Sequence, residues 1–255
     1  MSRLSRAAVV RAATSAIARR TRFLDRELAA LPRLVAPGSV CIDVGAAAGV
    51  YTQALSDLVG PRGQVHAVEP LVFSHPLWSR LLASSTQANV RRHVVALGAE
   101  PGRTRLRVPA TAAGLATSLS FLARDATNVG WTAAYPHHVD VVVDVDTLDG
   151  LCARAGIPRA DFVKIDVEGA ELQVLQGGRR TIEAWRPTLL VEIEQRHTAR
   201  YACHPDDVVR WLGDRGYRMF AWQDGWRATD RVCPHRNNYL FVPHPGGGGE
   251  RGDPA

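Results

Sequence analysis

The sequence predicts an α/β fold: a mostly parallel sheet with helices on both faces and an antiparallel pair at one edge. Three observations predict it. Short apolar runs alternate with segments of helical period from about residue 40 to residue 213. Two of these runs, Val40 to Val44 and Phe162 to Ile165, deliver carboxylates to a strand end and then meet glycine. The last two runs, Tyr217 to Trp222 and Tyr239 to Val242, are joined by a polar loop without helical period, whereas a parallel crossover usually carries a helix.

The elements follow in order. Residues 1–35 read as one or two helices that stop before Pro37-Gly38. Val40 to Val44 is a strand, Val50 to Leu58 a helix closed by Gly60-Pro61, and Gln64 to Val68 a strand ending at Glu69-Pro70. Leu77 to Ala83 is a helix, Arg91 to Ala96 a strand, and Arg103 to Val108 alternates as a strand does. Residues 109–136 are small and polar, carry Trp131 and Tyr135, and have no clear period, the mark of a long functional or mobile loop. Val139 to Val145 resumes as a strand, and Thr147 to Ala155 is a helix ended by Gly156. Phe162 to Ile165 is a strand, Ala170 to Gln176 a helix that meets Gly177-Gly178, and Thr181 to Trp185 a further turn. Leu189 to Ile193 is a strand, and Pro205 to Gly213 a helix behind His204. These boundaries define a basic N-terminal helical segment (1–37), a main domain (38–244) and a Gly-rich, charged tail (245–255) expected to be disordered.

Charge narrows the partners. The net charge of +6 belongs to residues 1–37, where eight Arg face Asp25 and Glu27; the rest of the chain balances. A balanced main domain argues against a nucleic-acid groove. The basic arm suits either a solvated helix face or contact with an acidic partner or a membrane surface. Cys41, Cys152, Cys203 and Cys233 form no close-spaced pair, so a disulfide framework or structural zinc is not expected, and a cytoplasmic setting fits. No apolar run reaches the roughly 18 residues that a membrane span needs. Lys164 is the single lysine among 31 basic residues, and it stands inside the second carboxylate-bearing run.

The first run reads Asp43-Val44-Gly45 to Gly49, a D-x-G-x-x-x-G pattern. Gly45 permits a sharp turn out of the strand, Gly49 close helix packing, and the helix N-terminus offers free amides. Glu69 ends the next strand, 24 residues after Gly45, where an acidic side chain can accept bonds from both ribose hydroxyls. The middle glycine of G-x-G-x-x-G is missing, and Ala47 stands in the loop. A phosphate-free nucleoside, S-adenosylmethionine, therefore fits better than a dinucleotide.

The segments CIDVGAAAGVYTQAL (41–55) and DFVKIDVEGAELQVLQGGRRTIEAWRPTLLVEIE (161–194) resemble the FkbM family of S-adenosylmethionine-dependent methyltransferases, over about residues 38 to 243. The resemblance implies a seven-stranded Rossmann-like sheet with the last strand antiparallel, and usually methylation of a hydroxyl. It places Asp43, Gly45, Ala46 and Gly49 around the methionine end, Glu69 on the ribose, and the strand end at Ala96 to Gly98, with Leu97 at its centre, beside the adenine. The family usually has Asn where this chain has Ala47, which removes one polar side chain near the cofactor.

Lys164, Asp166 and Glu168 are two apart, so in an extended strand they share a face. Asp166 and Glu168 lie where a sulfonium would sit; either could bind the cofactor's ammonium or take an acceptor's proton. Lys164 could hold one of them ionised. Glu171 reads as a helix N-terminal cap. Glu192 and Glu194 share a face at the end of the next strand, with His197 just beyond. Glu194 and His197 are candidate bases, and His137 and His138 weaker ones. If Asp166, Glu168, Glu192 and Glu194 converged they could ligate Mg²⁺, but their spacing does not demand a metal. The reading that follows is an O-methyltransferase acting on a sugar, polyketide or similar alcohol, with residues 109–138 over the acceptor. A nicotinamide-dependent oxidoreductase and an inactive cofactor-binding scaffold are the alternatives. The N-terminal helices would serve any homo-oligomer.

Overall fold

The structure, a computed structural model, describes residues 26–71, 88–111, 114–115, 119–124, 126 and 137–244. A 3-10 turn at Arg26–Ala30 leads into the short helix α1 (Leu31–Leu34). β1 (Val40–Val44), α2 (Val50–Val59), β2 (Gln64–Val68), β3 (Val90–His93) and β4 (Ala96–Leu97) follow. Next come β5 (Gly102–Thr111), β6 (Gly114–Leu115), β7 (Phe121–Leu122) and β8 (His138–Asp146). The chain continues through α3 (Leu148–Ala155), β9 (Phe162–Ile165), α4 (Glu171–Gly177), α5 (Arg179–Trp185) and β10 (Thr188–Glu192). Then α6 (Gln195–Thr198) passes into a 3-10 turn (Ala199–Tyr201), followed by α7 (Pro205–Gly213), β11 (Tyr217–Trp222), β12 (Trp226–Ala228) and β13 (Asn238–Pro243).

The main sheet has the order β12-β11-β13-β10-β9-β1-β2-β3. Its five strands β10, β9, β1, β2 and β3 run parallel, while β13 runs antiparallel to both β10 and β11. This is the Rossmann-like sheet the resemblance implied, with one strand more than the expected seven. The extra strand, β12, closes a hairpin on β11 across Asp224-Gly225, where Asp224 takes a positive φ of 57°. Three residues are too few to show an alternating pattern, which is why Trp226–Ala228 reads as loop in sequence.

The central parallel strands β1 and β9 are buried on both faces, as their near-continuous apolar sequences require, whereas β3 at the edge, Val-Arg-Arg-His, is not. Ile42, Val163, Leu189 and Val191 pack towards α3, α4, α5 and α7, whereas Cys41, Val65, Phe162 and Leu190 pack towards α1 and α2. Helix ends follow their caps. Thr147 accepts from Gly150 N at the start of α3, and His204 and Asp207 form a reciprocal capping box on α7.

The run expected as one strand over Arg91 to Ala96 is divided. β3 pairs with β2 in the main sheet, and β4 pairs with β8 in a second sheet of order β4-β8-β5-β6, to which β7 adds along β5. This second sheet has its own core of Ala96, Leu106, Val108, Leu122, Val143 and Val145. Its opposite face carries cross-strand ion pairs, Arg103 with Asp144 at 3.1 Å and Arg107 with Asp140 at 3.0 Å.

The expected helix at Leu77 to Ala83, the tail at 245–255, Trp131, Tyr135 and all of the N-terminal segment before residue 26 lie outside the described residues. Among the described residues no helix is long and apolar enough to cross a membrane, and the four cysteines are free thiols.

β1 and β9 meet closely at their C-terminal ends. Asp166 N–H donates to Val44 O at 3.0 Å, and a Cβ on Gly45 (φ 79°) would collide with the Asp166 carbonyl oxygen. Replacing Gly45 with Ala adds that collision to the left-handed backbone strain of about 1–3 kcal/mol. Chemical denaturation of Gly45→Ala should therefore show a loss of at least about 1–3 kcal/mol; unchanged stability would mean that the two strand ends can separate freely.

Candidate active site

A cavity of about 150 Å³ opens at the C-terminal ends of β1, β2, β9 and β10. The main sheet contributes Gly45, Ala47, Glu69, Asp166, Glu168 and Glu192 to its wall. The second sheet contributes Ala96, Leu97, Leu106, Phe121 and Leu122. Glu69 and Asp166, 97 residues apart in sequence, thus face one hollow.

The loop after β1 builds one side. Gly45 N and Ala46 N both donate to Val68 O, at 3.0 and 3.1 Å. Ala47 sits at φ 42°, and its N–H donates to Glu69 Oε2 at 3.0 Å. Leu71 N–H donates to Glu69 Oε1 at 2.8 Å, so the carboxylate is aimed before any ligand arrives. Burial raises Glu69 above its ordinary range, against the pull of these two amides. Asp43 is buried under the loop and accepts from Thr52 Oγ1 at 2.5 Å. Burial pushes it up to about 6 although Thr52 and Lys164 pull it down. Gly49 (φ 80°) caps α2. Of the residues expected at the cofactor, Gly45, Glu69, Leu97, Asp166 and Glu168 line the cavity; Asp43, Ala46 and Gly49 support the loop that does.

Under the opposite wall lies a buried polar network. The Lys164 side chain is 1% exposed. Its Nζ donates to Asn238 Oδ1 at 3.0 Å and pairs with Asp166 Oδ2 at 3.5 Å. Asp166 is hydrogen-bonded to Glu192. Burial alone would raise Asp166, but Lys164 and the bond from Glu192 outweigh it and hold the carboxyl below its usual range. Glu192 is driven far up, first by burial and then by bonding to ionised Asp166. Proton affinity is thus raised on Glu192 and lowered on Asp166, so a proton between them favours Glu192.

Lys164, Asp166 and Glu168 do not share an extended face as expected. β9 ends at Ile165, and Glu168 sits in a turn at φ 57°. There its Oε2 lies 3.1 Å from His197 Nδ1. His197 Nε2 is 3.7 Å from Glu194 Oε2, and Glu194 is anchored by Arg196 and Asn237. Neither His197 nor Glu194 lines the cavity, and Lys164 lies beneath it; of the four candidate catalytic residues only Asp166 reaches the wall. His138 faces Asp140 on the second sheet and His137 is exposed beside it, both off the cavity wall. Glu171 does not cap α4 as expected: it is the helix's first residue, and its Oε1 ties the preceding turn, accepting from Gly169 N–H at 2.9 Å and Val167 N–H at 3.3 Å. Among the described residues, no group of three or more His, Cys, Asp and Glu is arranged to hold a metal ion.

Sequence reasoning missed Arg200 and Tyr201. Tyr201 Oη donates to Leu122 O at 2.9 Å, and the Arg200 guanidinium lies over the Phe121 ring at 4.6 Å. These contacts tie β7 to the 3-10 turn that follows α6. No local pattern marks either residue.

The description of the FkbM methyltransferase domain matches residues 43–219. The chain belongs to the FkbM methyltransferase family. The match starts at Asp43 and ends in β11, so it takes in every strand end around the cavity and leaves β12 and β13 outside. Solved structures of similar shape include an FkbM methyltransferase from Methylobacillus flagellatus KT (16% identity, TM-score 0.47, covering 91% of this chain and 58% of that one). This chain thus spans little more than half of the Methylobacillus protein. Others are an S-adenosylmethionine-dependent O-methyltransferase from Thermotoga maritima (13%, TM-score 0.47, 94% and 73%) and Aeropyrum pernix fibrillarin with natively bound S-adenosyl-L-methionine (15%, TM-score 0.42, 88% and 74%). No curated protein matches this FkbM chain significantly.

A neutral Glu192 has a consequence for stability. Its folded proton affinity is raised, so the native state keeps a proton that the unfolded chain releases above about pH 4.5. Stability is then lost as pH rises through that range. Glu192→Gln, which stays neutral, should gain on the wild type as pH increases, by up to about 1.4 kcal/mol per pH unit. Urea denaturation from pH 5 to 8 reads this out, and parallel curves would place the proton elsewhere.

Proposed function

We propose that this FkbM protein transfers a methyl group from S-adenosylmethionine to a hydroxyl of a small molecule such as a sugar or polyketide. The observation that carries the reading is the shared cavity of Glu69 and Asp166 at neighbouring parallel strand ends, the place where open α/β sheets bind ligands. The residues present fit this cofactor. Gly45 has no side chain to fill the loop's inner face, and each Glu69 oxygen bonded to one amide keeps a lone pair for a ribose hydroxyl. Leu97 and Val95 offer apolar surface for a base. No Lys or Arg is among the described cavity residues, which suits a ligand without phosphates.

When bound, the sulfonium supplies an already activated methyl group. The chain's own work is placement and charge. Ionised Asp166, backed by Lys164, suits the cofactor's cationic end. Phe121 and Leu122 close the side nearest the second sheet and exclude water from the acceptor. Alignment of this kind can lower a barrier by ~7–11 kcal/mol in the best cases.

Glu69→Ala should weaken S-adenosylmethionine binding by about 1–3 kcal/mol, the scale for losing charge-assisted hydrogen bonds. Titration calorimetry measures it, and unchanged affinity removes Glu69 from the ribose. Tight binding of NAD with none of S-adenosylmethionine would replace the methyl-transfer reading by the oxidoreductase one.

A further inference from the structure

We propose that Glu168 takes the acceptor's proton and that His197 is a positioning residue behind it. This rests on the methyl-transfer reading above. Glu168 lines the cavity, whereas His197 is 7% exposed and lies on the far side of that carboxyl.

The other carboxyls in the wall are engaged. Asp166 is held ionised by Lys164, which makes it a poor proton acceptor. Glu192 is hydrogen-bonded to Asp166, and burial and that bond raise its proton affinity. Glu69 stands across the cavity with both oxygens on backbone amides. Glu168 is the remaining carboxyl of the described wall.

Its setting is built, not incidental. Arg200 Nη1 donates to the Glu168 carbonyl at 3.1 Å. Gly169 (φ 111°) packs so tightly on the His197 carbonyl that a Cβ there would collide. A non-glycine residue is thus kept in the left-handed region by its neighbours. The buried imidazole stands between two carboxyls, its Nδ1 3.1 Å from Glu168 Oε2 and its Nε2 3.7 Å from Glu194 Oε2.

Burial, then the Asp166 charge, push Glu168 up to about 8, with Glu171 and Glu194 adding and Arg200 opposing. Glu192, Arg196 and Tyr201 face it as well, and His197 is kept neutral by burial. A base with proton affinity near the working pH is the effective one. In the step, the acceptor's O–H proton passes to a Glu168 oxygen. The freed oxygen pair forms the bond to the methyl carbon, and the methyl–sulfur pair stays on sulfur.

The test needs no known acceptor. Protein labelled with ¹³C at the glutamate carboxyls is titrated with S-adenosylhomocysteine bound. The resonance that disappears in Glu168→Gln, or in Glu168→Asp if Gln does not fold, should have its midpoint near 8. A midpoint below about 5, within the ordinary carboxylate range, overturns the assignment. Glu168→Gln should bind S-adenosylhomocysteine within roughly threefold of wild type; a loss beyond about tenfold makes Glu168 a cofactor ligand instead. His197→Gln should move the Glu168 midpoint by at least about half a unit, and an unmoved midpoint reduces His197 to packing. With methyl-labelled S-adenosylmethionine and small molecules from a source extract, label transfer should fall about 100-fold in Glu168→Gln; transfer at the wild-type rate overturns the role. Failure of the wild type to bind S-adenosylhomocysteine would sink the methyl-transfer reading itself, whereas intact binding with a low midpoint sinks this inference alone.

Discussion

One buried ammonium organises the cavity end of this protein. Lys164 has almost no contact with water, and a charge in that position is tolerated only when it is paired and hydrogen-bonded. Asn238 and Asp166 provide those partners. Lys164 favours the ionised form of Asp166, and that charge together with burial disfavours ionisation of Glu192 beside it on β10. A single cation on β9 therefore sets the protonation of two strands' side chains and links β9, β10 and β13 across the sheet. The flexible, compact ammonium suits this narrow place better than a planar guanidinium, which gives physical sense to the single lysine in an arginine-rich chain.

Much of the fold was legible because period is a local property. The parallel strands, the helices around Thr147 and His204, and the antiparallel β11 and β13 all announce themselves through alternation, caps and glycines. The second sheet was not legible as a sheet. Its strands were visible singly, but the pairing of β4 with β8 and the packing of Leu106 on Leu122 are long-range facts. The division of β3 from β4 was hidden for the same reason, since apolar residues continue through the break.

The site was legible where chemistry follows strand ends and illegible where it follows turns. Gly45, Glu69 and Asp166 could be placed by counting from a strand. Glu168 could not, because its direction depends on a left-handed turn that the extended-strand reading does not contain. Its neighbour His197 reads in the sequence as a candidate base past the end of β10, and its depth behind Glu168 comes from the packing of α6 on the 168–169 turn. Arg200 and Tyr201 bring β7 to the cavity through contacts between segments some 80 residues apart, beyond any local signal.

The ion pairs on the second sheet's outer face carry a kinetic implication. Arg103 and Arg107 each meet an aspartate on the neighbouring strand, so the sheet that contributes one wall of the cavity presents opposite charges side by side. Fields of alternating sign cancel within about 10 Å at moderate ionic strength. A ligand approaching over this surface is neither drawn in nor turned away by long-range steering, and its encounter rate follows diffusion and the width of the opening, with little dependence on added salt.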